Sequence, residues 1–368
     1  MRPALLSCLL IAYAPVARCK VSLDLRIDAI ARTRPAFVQQ GSNFGCSIAS
    51  IGDIDGDGVD DLAIGASHFT ATNGSSALGN LGAVYIAFMT SNDSIKQHTR
   101  ISFGENGAPP LAANSFFGAS VAFYRNRSIA VGSPGTAVGA VHLLHLLPNG
   151  SCNSSVLIRG RFVGNFPGNS TLISASNEGI FNGPPIRYES QFGSMVAGIG
   201  DFNNDGVPDL AVGASDADAG DGTVYLLFLS DNGTVLSYST ISSTTGGGPF
   251  LAPFSFFGSS LVSLGDLNGD GVDDLAIGAA YFTDIDNKPR TGAVFVCLMK
   301  ADGTISSYSR ISEFGVLHLP LIVRHLLLYT LSVILVLLGV RVLRAWSGQL
   351  RRYQWRWGSR PRHRLPPG

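Results

Sequence analysis

Acidic residues are missing from both ends of this chain. All 26 Asp and Glu of its 368 residues lie between Asp24 and Glu313, whereas the last 28 residues hold eight Arg and no acid. A formal net charge of zero therefore conceals an acidic middle and a basic end. Charged residues are few, at 14% against 45% hydrophobic, which excludes a disordered polyelectrolyte. Cysteine is scarce: beyond the first 19 residues only Cys46, Cys152 and Cys297 remain. An odd number without close spacing supplies neither a disulfide framework nor a zinc site. Cys46 and Cys297 read as small buried residues on strands, and Cys152 as a loop residue. Catalytic signatures are lacking as well. There is no Gly-x-Ser-x-Gly elbow, P-loop or His-Glu-x-x-His, and no Asp-x-Ser-x-Ser metal motif. His142 and His145 stand three apart on an expected strand, so they point to opposite faces and form no metal pair. No enzyme activity is expected.

What the sequence has in quantity is Gly (44), Phe (21) and one acidic nonapeptide in three copies, Asp53–Asp61, Asp201–Asp209 and Asp266–Asp274. Each copy places Asp or Asn at its first, third, fifth and ninth positions and Gly at the sixth. Each follows a Phe-Gly by nine residues and precedes Leu-Ala-(Ile/Val)-Gly-Ala. Two carboxylates about 4 Å apart repel by roughly 4 kcal/mol at an effective dielectric near 20, so several in one loop need a counter-charge. Alternating oxygen ligands around a Gly-permitted bend suit Ca2+, which gives about three calcium sites. An EF-hand is excluded, because position twelve is Ile64, Val212 or Ile277 rather than Glu, and the flanks are β-like.

The nonapeptides belong to a larger repeat. Phe-Gly recurs at Phe44, Phe117, Phe192 and Phe257, and the strand-like Ile64-Gly65-Ala66 has counterparts at Val131, Val212 and Ile277. Gly82-Ala-Val-Tyr85 has counterparts at Gly139, Gly222 and Gly292, and Arg100-Ile-Ser102 at Leu172, Thr240 and Arg310. Each mark sits in a short run rich in β-branched and aromatic residues bounded by turn formers, and so reads as a strand. Four strands per repeat of about 70 residues is the arithmetic of a propeller blade. The expected fold is all-β: a partial or small β-propeller of about four blades over residues 24–313.

This composite of Phe-Gly, acidic loop and Leu-Ala-Ile-Gly-Ala resembles the FG-GAP repeats of integrin alpha subunits, and the resemblance covers most of residues 24–313. It implies that Asp53, Asp55, Asp57 and Asp61 contact metal, as do Asp201, Asn203, Asp205 and Asp209, and Asp266, Asn268, Asp270 and Asp274. It also implies that the backbone carbonyls of Val59, Val207 and Val272 complete each shell. The second repeat departs from the pattern. Asn126 fills the slot nine residues after Phe117, but Ser128-Ile-Ala-Val follows at once, so a tight turn without metal is expected there. Integrin propellers close with seven blades and this chain shows four marks. That leaves three readings: a small ring, an open arc completed by a partner subunit, or a truncated gene model of a larger FG-GAP protein. Leu25–Ile30 is a candidate outer strand for the last blade.

The ends of the chain read as membrane topology. Residues 1–19 resemble a secretory signal peptide. Leu326–Val340 is fifteen residues without a charge, and a transmembrane helix over 325–345 is expected after a short linker at 314–324. The Arg-rich tail, 346–368, is then cytoplasmic and the blades extracellular, a single-pass type I arrangement at the cell membrane. Seven Asn-x-Ser/Thr sequons, at Asn73, Asn92, Asn126, Asn149, Asn153, Asn169 and Asn232, lie on the extracellular side and are candidate glycosylation sites. The function expected from the resemblance is a calcium-binding, adhesion-like surface protein that recognises an extracellular protein or glycan through propeller loops. Nucleic acid is excluded as a partner. The competing reading is an accessory propeller of a secreted or membrane hydrolase assembly.

Overall fold

The computed structural model describes residues 38–73, 76–135, 139–159, 161–162, 184–186, 190–283, 291–312 and 315–317. Its strands fall into four antiparallel four-stranded blades. The first is built from β1 (Phe44–Gly52), β2 (Asp61–Ala66), β5 (Ala83–Met89) and β6 (Ile95–Ser102), with a small hairpin of β3 (Thr70–Asn73) and β4 (Ser76–Asn80) between its middle strands. The second holds β7 (Ser120–Arg125), β8 (Ser128–Gly132), β9 (Ala140–Leu146) and β10 (Cys152–Arg159). A two-residue parallel pair, β11 (Arg161–Phe162) and β12 (Pro185–Ile186), precedes the third blade. That blade is β13 (Phe192–Gly200), β14 (Asp209–Ala214), β15 (Thr223–Leu229) and β16 (Val235–Ile241). The fourth is β17 (Phe257–Gly265), β18 (Asp274–Ala279), β19 (Ala293–Met299) and β20 (Ile305–Ser312), with β21 (Gly315–Leu317) added at its outer edge.

Composition follows position within a blade. In the third blade the two middle strands, Asp209–Ala214 and Thr223–Leu229, are buried along their whole length because neighbouring blades cover both faces. They accordingly read as unbroken apolar runs. The outermost strands, such as Val235–Ile241, keep an exposed stretch and carry Ser, Thr and Tyr. The cores lie between blades rather than within them. One apolar cluster joins the first and second blades around Phe117, another joins the second and third around Phe192, and a third joins the third and fourth around Phe257. Phe117, Phe192 and Phe257 thus each mark a joint, and Phe117 and Phe257 form parallel bridges to Gly82 and Gly222 of the blade before. Among the described residues no such cluster joins the fourth blade to the first.

Two cysteine expectations are corrected. Cys46 lies on β1 as read but is exposed, its thiol 3.3 Å from the Gly118 carbonyl oxygen at the joint with the second blade. Cys152 is buried and opens β10, where its N–H donates 2.9 Å to the Asn106 carbonyl and its side chain packs on the core shared by the first two blades. Cys297 is buried on β19. The fourth blade draws all four strands from its own repeat, and Leu25–Ile30 lies outside the described residues. So do the signal at 1–19, the span at 325–345 and the tail at 346–368; among the described residues no helix is long and apolar enough to cross a membrane.

Candidate metal sites

In three blades the acidic nonapeptide forms the loop between the first and second strands. The sixth-position glycines, Gly58, Gly206 and Gly271, have φ of 87°, 92° and 89°. This conformation suits glycine and turns each N–H inward. They donate to Oδ2 of Asp53, Asp201 and Asp266 at 2.8, 2.9 and 2.9 Å. The first-position Asp is therefore a hub: Asp53 also accepts from Gly56 and Asp57 at 2.6 and 3.1 Å. The Gly58 N–H, ahead of the others, holds the Asp53 carboxyl below the usual range, and the Gly271 N–H does the same for Asp266. The fifth-position carboxylates of Asp57, Asp205 and Asp270 accept the N–H of Val59, Val207 and Val272 at 2.9, 2.9 and 3.0 Å.

The ninth-position Asp opens the second strand and is fully buried in all three copies, Asp61, Asp209 and Asp274. Its two oxygens face two different segments. One accepts the N–H of the loop's second residue, Ile54, Phe202 or Leu267, at 3.0, 3.2 and 2.9 Å. The other accepts from the third strand's last residue, Met89, Leu229 or Met299, at 2.9, 2.9 and 2.8 Å. Burial pushes all three carboxyls up, Asp209 to about 6.

In the first blade, oxygens of three of the sequence-expected ligands, Asp53, Asp55 and Asp61, lie within 4.8 Å of one another. In the third and fourth blades the third position is Asn, and the amides of Asn203 and Asn268 donate to Asp205 and Asp270 at 2.9 Å each. The donor set is all oxygen, and an ionised carboxylate has about four lone-pair sites, so Asp61 keeps acceptor capacity beyond its two N–H partners. A buried carboxylate whose ionisation is disfavoured gains from a nearby cation. Donor type, convergence and burial together fit a hard divalent ion such as Ca2+.

One participant escaped sequence reasoning. The ammonium of Lys96, on β6, lies 2.9 Å from Asp55 and also pairs with Asp57. These contacts raise its pKa, and Lys96 in turn lowers that of Asp57. Strand register places Leu236 and Ser306 at the matching positions of the third and fourth blades, so this positive charge is particular to the first loop. In the second blade β7 and β8 join through a two-residue turn at Asn126-Arg127, Arg127 taking a φ of 56°. Of the sequon asparagines, Asn92, Asn126, Asn149, Asn153 and Asn232 are exposed. Asn73 ends β3, with its side chain outside the described set, and Asn169 lies outside the described residues. His142 is buried and His145 exposed, on opposite faces of β9.

A family model described as FG-GAP repeat matches residues 47–86, 192–227 and 257–297, the first, third and fourth blades. Curated relatives include integrin alpha-2 of Mus musculus, 36% identical over 100 residues, covering 27% of this chain and 8% of that protein. Integrin alpha-PS3 of Drosophila melanogaster is 31% identical over 152 residues, covering 39% and 13%. Integrin alpha-4 of Xenopus laevis is 29% identical over 253 residues, covering 66% and 22%. The chain thus spans less than a quarter of the length of these relatives. With its Phe-Gly joints, acidic loops and glycine-bearing second strands in place, the chain is an FG-GAP repeat protein, integrin-alpha-like through its blades.

Proposed function

We propose that this chain is a calcium-stabilised, membrane-anchored surface protein that recognises an extracellular protein or glycan through the loops of its blades, in concert with a partner subunit. The observation that carries the reading is the threefold loop, with the same carboxylate hub, buried brace and strand attachments each time. The proposed ligand sets are Asp53, Asp55, Asp57, Val59 and Asp61, with their counterparts 201–209 and 266–274. Bound calcium would supply a counter-charge shared by the carboxylates of each loop. The protein's own groups preorganise the loop: Gly58, Gly206 and Gly271 aim the first Asp, and Asp61, Asp209 and Asp274 tie the loop to the third strand. Carboxylates held by backbone N–H groups are poor general acids or bases, which supports a binding role over a catalytic one. In this reading residues 24–313 are extracellular, 325–345 span the membrane, and 346–368 face the cytoplasm.

The test is attachment of cells displaying the full chain to surfaces coated with extracellular-matrix protein or glycan. Attachment in millimolar Ca2+ that is lost in EDTA is expected, with D270A weakening it. Attachment no better than that of control cells, on every coating and with calcium present, would overturn the proposal.

A further inference from the structure

Of the four described blades the second alone has no acidic loop, and a cavity opens beside its short turn. In the first and third blades the loop's second residue, Ile54 or Phe202, is buried, at 1% and 2% exposed. The Phe202 ring lies 6.2 Å from that of Phe228 on the third strand. The second blade passes directly from β7 to β8 through Asn126-Arg127 and has no residue in that place. His145, which matches Phe228 in register, is exposed. Next to it, between the second and third blades, is a cavity of about 230 Å³.

The lining of this cavity differs from its surroundings in the other blades. Tyr124 lines it, at a register position that holds Ile51, Ile199 and Leu264 elsewhere. Tyr124 is 6% exposed, and its buried hydroxyl has no hydrogen-bond partner among the described residues. A buried tyrosine hydroxyl ordinarily has one. The Arg125 guanidinium lies 5.4 Å over the Tyr124 ring and donates to Asp231 Oδ1 at 3.2 Å and to the Asp231 carbonyl. Ser128 stands where the other blades bury Asp61, Asp209 and Asp274, and shares a hydrogen bond of 3.1 Å with His145 Nδ1. Leu143 and Leu144, 5% and 0% exposed, supply an apolar wall. The hairpin of the third blade closes the opposite side, its Gly233 so near that a Cβ would fall 2.9 Å from Leu143 Cδ1.

We propose that this cavity between the second and third blades binds a single pyranose unit of a glycan. Its volume is below the roughly 300–1,000 Å³ of sites for drug-sized ligands, which limits the occupant to one small ring. Its charges are already matched, Arg125 to Asp231, so an ionic ligand has to break that pair whereas a neutral one does not. The Tyr124, Ser154 and Ser155 hydroxyls and the Asn232 amide offer donors and acceptors beside an apolar wall. A sugar presents the complement, hydroxyls around its rim and C–H groups on its faces. Ser128, Ser154 with Ser155, and Asn232 belong to the sequons that begin at Asn126, Asn153 and Asn232. The same chemistry therefore has two sources, a glycan of another molecule and a glycan carried by this chain. The inference deepens the proposed recognition of an extracellular ligand, rests on that reading for the presence of glycans, and does not depend on metal.

The experiment is saturation-transfer NMR on the full chain from a glycosylating host, in a polyoxyethylene detergent that carries no sugar. The probes are methyl glycosides of N-acetylglucosamine, mannose and galactose at millimolar concentration, with acetate as the ionic control. Samples are compared before and after enzymatic removal of N-linked glycans. Saturation transfer to at least one glycoside is expected. Y124F should weaken its affinity about fivefold, by removal of one hydrogen bond. S155W, which sets an indole in the cavity, should abolish transfer with an unchanged circular dichroism spectrum. Transfer in both samples assigns the site to a glycan of another molecule, and transfer only after glycan removal assigns it to the chain's own. If S155W does not fold, Y124F carries the test, since it deletes one unpartnered oxygen and keeps the ring. No transfer to any glycoside in either sample, binding of acetate alone, or affinity unchanged by the substitutions would each overturn the proposal. Free glycosides are read without cells, so a failure here is distinct from a failure of cell attachment.

Discussion

His142 stands where its register counterparts are Tyr85, Tyr225 and Phe295. Its ring packs edge-on against Phe117 at 5.3 Å, and its Nδ1 has no hydrogen-bond partner among the described residues. Burial, with the Arg159 charge as a lesser cause, lowers its pKa from 6.5 to about 4. A folded-state value below the unfolded one means that the unfolded chain takes the proton first. Stability is then full above pH 6.5 and falls as pH drops toward 4, by on the order of 3 kcal/mol. H142F should keep the ring packing and flatten this fall, read from urea midpoints at pH 7 and pH 4.5. Lys96 is the second residue to test. With its ammonium removed, K96M should bind Ca2+ or Tb3+ about fivefold more tightly at the first loop, within the range of exposed ion pairs, as measured by terbium luminescence. Neither feature was legible in the sequence. A lysine 35 residues beyond the loop becomes its neighbour through the β5–β6 register, and a strand histidine looks the same whether or not a neighbouring blade covers it.

The loops were largely legible as elements. The spacing of oxygen-bearing residues and the sixth-position glycine gave their boundaries, and the missing six residues after Asn126 gave the tight turn of the second blade. The division of labour within a loop was not legible. Spacing identifies residues able to ligate, but it does not show that Asp274 lies against the N–H groups of Leu267 and Met299. D274A should therefore cost about 2–4 kcal/mol even in EDTA, since it orphans two buried donors. D270A, at an exposed position, should cost about 0.5 kcal/mol in EDTA and reveal its larger effect only when calcium is present. Urea melts with and without calcium separate the two. In the unaltered protein, millimolar Ca2+ should raise the melting temperature and EDTA should reverse it, because an ion bound only by the folded form stabilises that form.

At the scale of the molecule, the repeated marks were enough to give four blades, although the second blade takes its fourth strand from Cys152–Arg159 and the mark at Leu172 lies outside the described residues. Whether the ends meet was not legible, since that depends on the angle accumulated over successive joints, which no single repeat encodes. G132A should be severe, about 3 kcal/mol or more, because its Cβ would sit 2.0 Å from the Gly193 carbonyl oxygen. G278A should cost about 1 kcal/mol, because its Cβ would displace only the Ser260 hydroxyl, 2.1 Å away, from its rotamer. Guanidinium unfolding of the two variants checks the contrast. The glycine-to-carbonyl contact has a consequence for how such a chain can change over time. The pitch from blade to blade is fixed by main-chain atoms, so the apolar side chains around it can be exchanged without altering curvature. A whole repeat can likewise be gained or lost while the remaining joints keep their fit. Drift in sequence and drift in blade number are thereby uncoupled.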